Sequence, residues 1–249
     1  MKIIIGRIGI GVIALFLTLQ SCTDKQNSST LEIVIRGTYA GKPLVFAPGV
    51  SYTYFDGSNI SFTRSEFFIS DIQLIDQNSH GLPVNGVYLC ELQNHHISVS
   101  KAEEGYKIRI PVNYTGTFKG IRIGLGLPSE LNNSKPSDYQ STNILSDGEH
   151  YWAGWNSYVF SKTEGQLSNS NKNVLFAYHT GFNEAFITKE ILKPITLLPD
   201  QTGSINIEFD HERLFGTSAD YTNIYENNIV HNGIDFMIKF MDQFKNAFN

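Results

Sequence analysis

From residue 31 onward the chain alternates apolar and polar residues in short segments, and this period of two is typical of β-strands. Residues 31–35 open the series, and the alternation is clean in residues 106–110 and 205–209. Residues 66–75 carry aromatic or branched side chains on both faces, which predicts a strand packed on both sides. Residues 174–178 form a continuous apolar run, which predicts a central strand.

Clusters of Gly, Asn, Pro and Asp separate these segments, as turns do. Regularly spaced short strands with turns between them predict an all-β fold, an antiparallel β-sandwich. The C-terminal segment differs, because its apolar residues recur at spacings of three and four and predict an amphipathic helix that docks against the sheets. These residues are Ile234, Met237, Ile238, Met241, Phe244 and Phe248, with Phe236 and Phe240 widening the apolar face.

The composition agrees with one folded domain over residues 31–249. The 249 residues include 17 Phe and 12 Tyr, and only 17% are charged, which excludes a disordered or coiled-coil chain. The net charge is −5 and no run of Lys or Arg occurs, so nucleic acid is not an expected partner.

The first 30 residues have the composition of an export signal. Lys2 and Arg7 precede an apolar run over residues 8–19, which is shorter than the roughly 20 residues of a membrane-spanning helix. We therefore predict a signal peptide at residues 1–21. Its Leu-x-Ser-Cys ending resembles a bacterial lipoprotein signal, in which Cys22 would carry lipid; an ordinary signal with an incidental cysteine is the alternative.

This reading predicts an exported lipoprotein, held to the membrane through Cys22 and lying in the periplasm or at the outer membrane or cell surface. Residues 22–30 would be a polar tether. Cys90 then lacks an intrachain partner, and its apolar surroundings in the sequence favour a buried, inert thiol over a metal ligand.

Motifs of the common enzyme classes are missing from the sequence. There is no G-x-S-x-G elbow, phosphate-binding glycine loop, H-E-x-x-H helix or D-x-D-x-D-G calcium loop. No nucleophile and base, and no paired carboxylates, can be identified by spacing, so we expect no enzyme. The remaining candidates are residues 147–160, which hold both tryptophans beside His150, and residues 176–181, which hold His179. Core packing and a functional site both fit these residues.

These two segments resemble the MbnP-like family, named for an exported copper-binding protein associated with methanobactin systems. The family pattern is Trp-x-Trp, Gly-Tyr-x-Phe and Lys-x-Glu-Gly, followed by an aromatic-His-x-Gly strand. Its counterparts here are residues 151–165 and 178–181. Residues 67–74, 121–126 and 230–233 also match family segments, so the resemblance covers nearly all of residues 31–249.

The resemblance implies an exported, often lipid-anchored β-sandwich that binds one copper ion through imidazoles. It also implies that a tryptophan, Trp152 or Trp155, is oxidised to kynurenine by a partner di-haem peroxidase of the MauG-like type. Transferred to this chain, the ligands are His179 first, His231 second and His150 third. Imidazole nitrogen is a suitable copper ligand.

The sequence departs from the family pattern around the tryptophans. Two residues separate Trp152 from Trp155 where the family has one, and we predict a β-bulge at Gly154 that returns both rings to one face. Ser157 replaces a glycine, and His150 stands where Met is usual. A scaffold that has lost its copper site is the alternative.

Two functions without metal also stay open. The first is a β-sandwich that binds carbohydrate through exposed Tyr151, Trp152, Trp155 and Tyr158. The second is a purely structural envelope lipoprotein.

Overall fold

The computed structural model describes residues 28–231 and 233–249. The predicted signal peptide, residues 1–21, and the lipidation site Cys22 lie outside the described residues. The strands in chain order are β1 (Ser29–Tyr39), β2 (Lys42–Pro43), β3 (Tyr52–Thr53), β4 (Asn59–Ile75), β5 (Gly81–Val84), β6 (Tyr88–Glu91), β7 (Tyr106–Val112), β8 (Gly116–Phe118), β9 (Gly120–Leu125), β10 (Tyr151–Trp152), β11 (Ser157–Ser168), β12 (Asn173–Gly181), β13 (Ile187–Ile191), β14 (Ile195–Leu197), β15 (Thr202–Asp210), β16 (Gly216–Thr217), β17 (Asp220–Tyr221) and β18 (Ile229–Val230).

Helices are short except at the C-terminus. The α-helices are α1 (Leu92–His95), α2 (Val99–Glu104), α3 (Ser129–Asn132) and α4 (Ile234–Ala247). Single 3₁₀ turns occur at Pro136–Asp138, Ile144–Ser146, Gly148–His150, Asn183–Ala185 and His211–Phe215. No helix in the described part of the chain is long and apolar enough to cross a membrane.

The strands of the described residues form two large sheets and two two-stranded sheets, β8 with β14 and β16 with β17. The larger has the order β13-β9-β4-β11-β12-β18, with β3, β5 and β6 also paired to β4, and β10 to β11. The smaller has the order β15-β1-β2, with β7 also paired to β1. Most pairs are antiparallel, whereas β1 with β15 and β12 with β18 are parallel. The predicted all-β sandwich with a C-terminal helix is confirmed.

Helix α4 packs on aromatic side chains from both sheets. The Phe244 ring centroid lies 5.3 Å from that of Phe67 in β4 and 4.8 Å from that of Phe209 in β15. The Phe240 ring centroid lies 5.3 Å from that of Tyr178 in β12. Phe67 and Phe209 also contact each other across the sandwich, with centroids 5.1 Å apart. The helix therefore forms part of the core, as its apolar face predicted.

Three details differ from the sequence prediction. Ile234 and Ile238 are exposed, because they lie at the start and flank of the buried α4 stripe. β12 is not central: only the two-residue β18 covers its outer side, and Leu175 is 70% exposed. The first strand begins at Ser29, two residues before the expected start of the folded domain at residue 31.

The cysteine within the described residues, Cys90, is fully buried in β6, as predicted. Burial raises the pKa of its thiol well above the usual range, which keeps the sulfur protonated and unreactive.

Candidate metal centre

A β-hairpin presents the two tryptophans. Trp152 of β10 lies opposite Ser157 of β11, and the intervening residues form the turn, in which Trp155 N donates to Trp152 O at 3.0 Å. Asn156 adopts a left-handed φ of 49° there. The indole rings stack with centroids 4.4 Å apart and an interplanar angle of 27°. The predicted bulge at Gly154 is wrong, because a chain reversal, not an extra residue within a strand, brings the rings together.

The outer face of Trp155 rests against the end of β12. Its ring centroid lies 5.0 Å from that of Phe182. A Cβ at Gly181 would lie 2.8 Å from the carbonyl oxygen of Tyr158 and 3.0 Å from Cε3 of Trp155. Glycine at position 181 is therefore required by the close approach of the indole ring.

A buried asparagine, Asn132, holds the hairpin from the other side. Its Oδ1 accepts hydrogen bonds from Tyr158 N at 2.9 Å and from Ser157 Oγ at 3.0 Å, and its Nδ2 donates to Asn183 Oδ1 at 2.9 Å. Ser157 Oγ in turn accepts from Phe182 N at 3.0 Å. The serine that departs from the family's glycine therefore contributes a hydroxyl that fixes the hairpin.

β12 and β18 bring His179 and His231 together. The two strands are parallel, and Tyr178 of β12 is paired with Val230 of β18. The next residue in each strand direction is a histidine, so His179 and His231 lie side by side. The imidazole rings stack with centroids 4.6 Å apart and an interplanar angle of 21°. Trp152 meets the His231 ring edge-on at 5.2 Å. The first two predicted ligands and one predicted tryptophan therefore form one cluster.

The two imidazoles differ in their hydrogen bonds. His179 Nε2 donates to Glu164 Oε1 at 2.8 Å, and this bond lowers the pKa of Glu164 although partial burial opposes the shift. In the neutral ring the proton on Nε2 leaves the lone pair on Nδ1. His231 Nε2 is buried without a hydrogen-bond partner in the described residues. Burial and the neighbouring His179 lower the pKa of His231, which favours the neutral form of its ring.

Glu66 is a buried carboxylate next to this cluster. Its Oε1 accepts from Lys162 Nζ at 2.9 Å and from His150 Nε2 at 3.1 Å, and Arg64 Nη1 lies 3.6 Å away. Burial raises the pKa of Glu66, but the bonds from His150 and Lys162 outweigh it and hold the value at about 2. Arg64 Nε also lies 3.8 Å from Glu164 Oε2, so a charged network connects the two carboxylates.

The predicted third ligand, His150, is not placed with the other two. Its Nε2 bonds Glu66, and its Nδ1 lies 3.5 Å from the Asp147 carboxylate. The open cavity of about 340 Å³ that His179 and His231 line is not lined by His150. A ligand role for His150 stays a prediction.

The sequence interpretation missed the charged residues around the imidazole pair: Arg64, Glu66, Lys162 and Glu164. A usable signal was the Lys-x-Glu-Gly stretch, where Lys162 and Glu164 occupy alternate positions of a strand that is otherwise mainly apolar. No group of three or more His, Cys, Asp or Glu side chains in the described residues is arranged to hold a metal ion. A metal at this site would therefore rest on the two imidazoles first.

These features define a class of protein, a β-sandwich in which paired imidazoles lie against stacked tryptophans. The family model for MbnP matches residues 28–233, and the chain belongs to the MbnP family. Among solved structures, MbnP from Methylosinus trichosporium has a similar fold, with a TM-score of 0.54 and 13% identity over 83% of this chain and 81% of that one. No curated protein matches the chain.

Proposed function

We propose that this protein binds one copper ion in the cell envelope, with His179 and His231 as ligands. The observation that carries the proposal is the stacked imidazole pair, in which His231 Nε2 is buried with no hydrogen-bond partner in the described residues. A buried polar nitrogen without a partner is costly, and a metal would remove that cost. Imidazole also suits zinc, iron and nickel, so the choice of copper rests on the family.

The chain's own residues would prepare this site in three ways. Glu164 holds the ring of His179 through Nε2, which would leave Nδ1 as its coordinating nitrogen. Burial lowers the pKa of His231 and so favours the neutral form, which is the form that coordinates a metal. Trp152 covers one edge of His231 and limits the access of water. Copper, when bound, would supply a redox-active centre.

Metal analysis of the protein purified from its own envelope tests the proposal. We expect about one copper per chain in the wild type and its loss in His179→Ala and in His231→Ala. The matched control is His80→Ala, because the His80 side chain is 74% exposed in a turn. His150→Ala decides whether the third predicted ligand takes part. Unchanged copper content in both His179→Ala and His231→Ala would overturn the assignment.

Oxidation of a tryptophan to kynurenine is the second part of the proposal. Trp152 is the better candidate, because its ring contacts His231 and is 37% exposed, whereas Trp155 is half-buried against Phe182. The reaction needs oxidising equivalents from outside this chain, for which we propose a di-haem peroxidase of the MauG-like type. Intact mass and peptide mapping of Trp152→Phe and Trp155→Phe would show which residue is modified. Unmodified tryptophans in envelope-derived protein would contradict this part alone.

Export and lipid anchoring through Cys22 are proposed from the sequence of residues 1–22. Membrane fractionation of Cys22→Ala should release the protein into the soluble fraction, whereas Cys90→Ala should remain with the membrane. This control is matched, because the buried Cys90 thiol is unavailable for lipid.

We propose a binding protein and not an enzyme.

The carbohydrate-binding alternative required an exposed aromatic surface around the tryptophans. Tyr158 is buried, and Tyr151 and Trp155 are half-buried, which leaves Trp152 as the exposed ring of the four. A single exposed indole is a poor platform for a sugar, and the copper-binding proposal is therefore preferred.

A further inference from the structure

A second cavity lies on the larger sheet away from the imidazole pair. It has a volume of about 580 Å³ and is formed where β4 begins and β11 ends, beneath the segment of residues 46–51. In this part of the sheet Asn59 lies opposite Ser168, and Ser61 lies opposite Gln166. The paired strands therefore line the cavity with a ladder of hydroxyl and amide side chains.

The chemistry of this cavity is neutral and polar. None of the described residues that line it is charged. The side chains of Ser51, Asn59, Ser61 and Ser168 make no hydrogen bond to the described part of the chain, so their donors and acceptors are available. Gln166 Nε2 donates to Asn173 Oδ1 at 2.6 Å, which orients the amide of Gln166 and leaves its Oε1 as an acceptor.

Apolar ring surface lies beside these polar groups. Phe46 lines the same cavity from the covering segment, whereas Phe62 of β4, which also borders it, is buried in the core. A sugar ring presents hydroxyl groups at its edge and C–H groups on its face, so it needs both kinds of partner. The volume lies within the usual range for small-molecule sites, about 300–1,000 Å³.

We propose that this cavity binds a neutral carbohydrate. Its hydroxyl groups would be held by Asn59, Ser61 and Gln166, and its C–H face would lie on Phe46. The absence of any cation from the described lining disfavours phosphorylated or acidic ligands. The site shares no residue with the imidazole cluster: Gln166 and Glu164 lie two positions apart on β11, about 7 Å along the strand.

Saturation-transfer NMR and calorimetry with chitobiose and with maltose test this proposal. We expect saturation transfer from aromatic protons to at least one of the sugars, and a loss of affinity of at least about tenfold in Gln166→Ala. Ser51→Trp is the second variant: Ser51 is exposed on the covering segment, so a large ring there fills the cavity without disturbing the core. It should abolish binding.

Trp152→Ala is the control, because it removes the exposed indole of the other site. Binding that Trp152→Ala abolishes and Gln166→Ala leaves intact would overturn the proposal, as would the failure of both sugars to bind at millimolar concentration. Copper content measured on the same variants keeps the two proposals apart, since Gln166→Ala and Ser51→Trp should bind copper like the wild type. If the protein binds free chitobiose and also sediments with insoluble chitin, the natural ligand is a polysaccharide.

Discussion

Glu164 of β11 accepts a hydrogen bond from His179 Nε2 of β12 at 2.8 Å, between two paired strands of the larger sheet. Arg64 of β4, the next strand, lies 3.8 Å from the other oxygen of the same carboxylate. Three adjacent strands therefore determine the orientation of one imidazole. A carboxylate that accepts from a ligand histidine fixes its tautomer and increases its basicity.

Replacement of this carboxylate should weaken copper binding without removing a ligand. In Glu164→Gln the side chain keeps its shape but loses its charge, and we expect the copper affinity to fall about tenfold or more. Competition with a chromophoric copper chelator measures the change. Glu190→Gln is the control, because Glu190 pairs with Arg122 on β9, outside the site. Equal affinities of Glu164→Gln and wild type, with a large loss in His179→Ala, would show that Glu164 has no positioning role.

The acidity of His231 can be tested without any metal. Burial and the adjacent His179 lower the pKa of His231, so this ring should be protonated at a lower pH than an exposed histidine. Titration followed by ¹⁵N-edited NMR of the imidazole nitrogens measures it, and His231→Ala assigns the signal. A measured pKa of 6.5 or above would mean that the ring is not held in its buried position.

Gly181 should be intolerant of a side chain. A Cβ there would lie 2.8 Å from Tyr158 O and 3.0 Å from two atoms of Trp155, so Gly181→Ala should displace the indole and destabilise the fold by about 1–3 kcal/mol. Near-ultraviolet circular dichroism reports the tryptophan stack, and urea denaturation gives the free energy of unfolding. Gly148→Ala is the control, since a Cβ at that position meets no atom within 4 Å. Equal effects of the two substitutions would contradict the packing argument.

The periodicity of the sequence was sufficient for the fold but not for the site. Clean alternation predicted strands at residues 106–110 and 205–209, which lie within β7 (Tyr106–Val112) and β15 (Thr202–Asp210). The spacing of three and four predicted a helix from Ile234 onward, where α4 lies. The sequence also singled out His179 and His231, through the family pattern. It could not show that these rings stack, because the contact depends on the parallel pairing of β12 with β18, which involves only two residue pairs.

The other features that the sequence did not predict also depend on contacts between strands. Glu66 is shared by His150 and Lys162 from two other elements, and no local spacing in the sequence connects these three residues. The sequence predicts a bulge where the chain reverses between Trp152 and Trp155, because one glycine in an aromatic run is compatible with a bulge and with a turn. Leu175 was assigned to a central strand, since its exposure depends on how little of β12 is covered by β18.

Two further histidines should make the protein sensitive to mild acid. His96 and His211 are buried, and burial lowers their pKa values to about 4 and about 3. In the unfolded chain both titrate near 6.5, so below that pH the unfolded state binds more protons than the folded state. Their contribution to stability is complete above pH 6.5 and is lost progressively as the pH falls toward the folded-state values.

Protonation of each of these rings in the unfolded state should lower the free energy of unfolding by about 2 kcal/mol between pH 7.5 and pH 5. Urea denaturation at pH 7.5 and at pH 5 measures the loss, and substitution shows its source. His211 Nε2 lies 2.8 Å from Ser65 Oγ, and in His211→Gln the uncharged amide can still bond that hydroxyl. The difference in the free energy of unfolding between the two pH values should fall by about half in this variant. A wild-type free energy of unfolding that is the same at both pH values would mean that the buried rings acquire a proton without leaving the folded state.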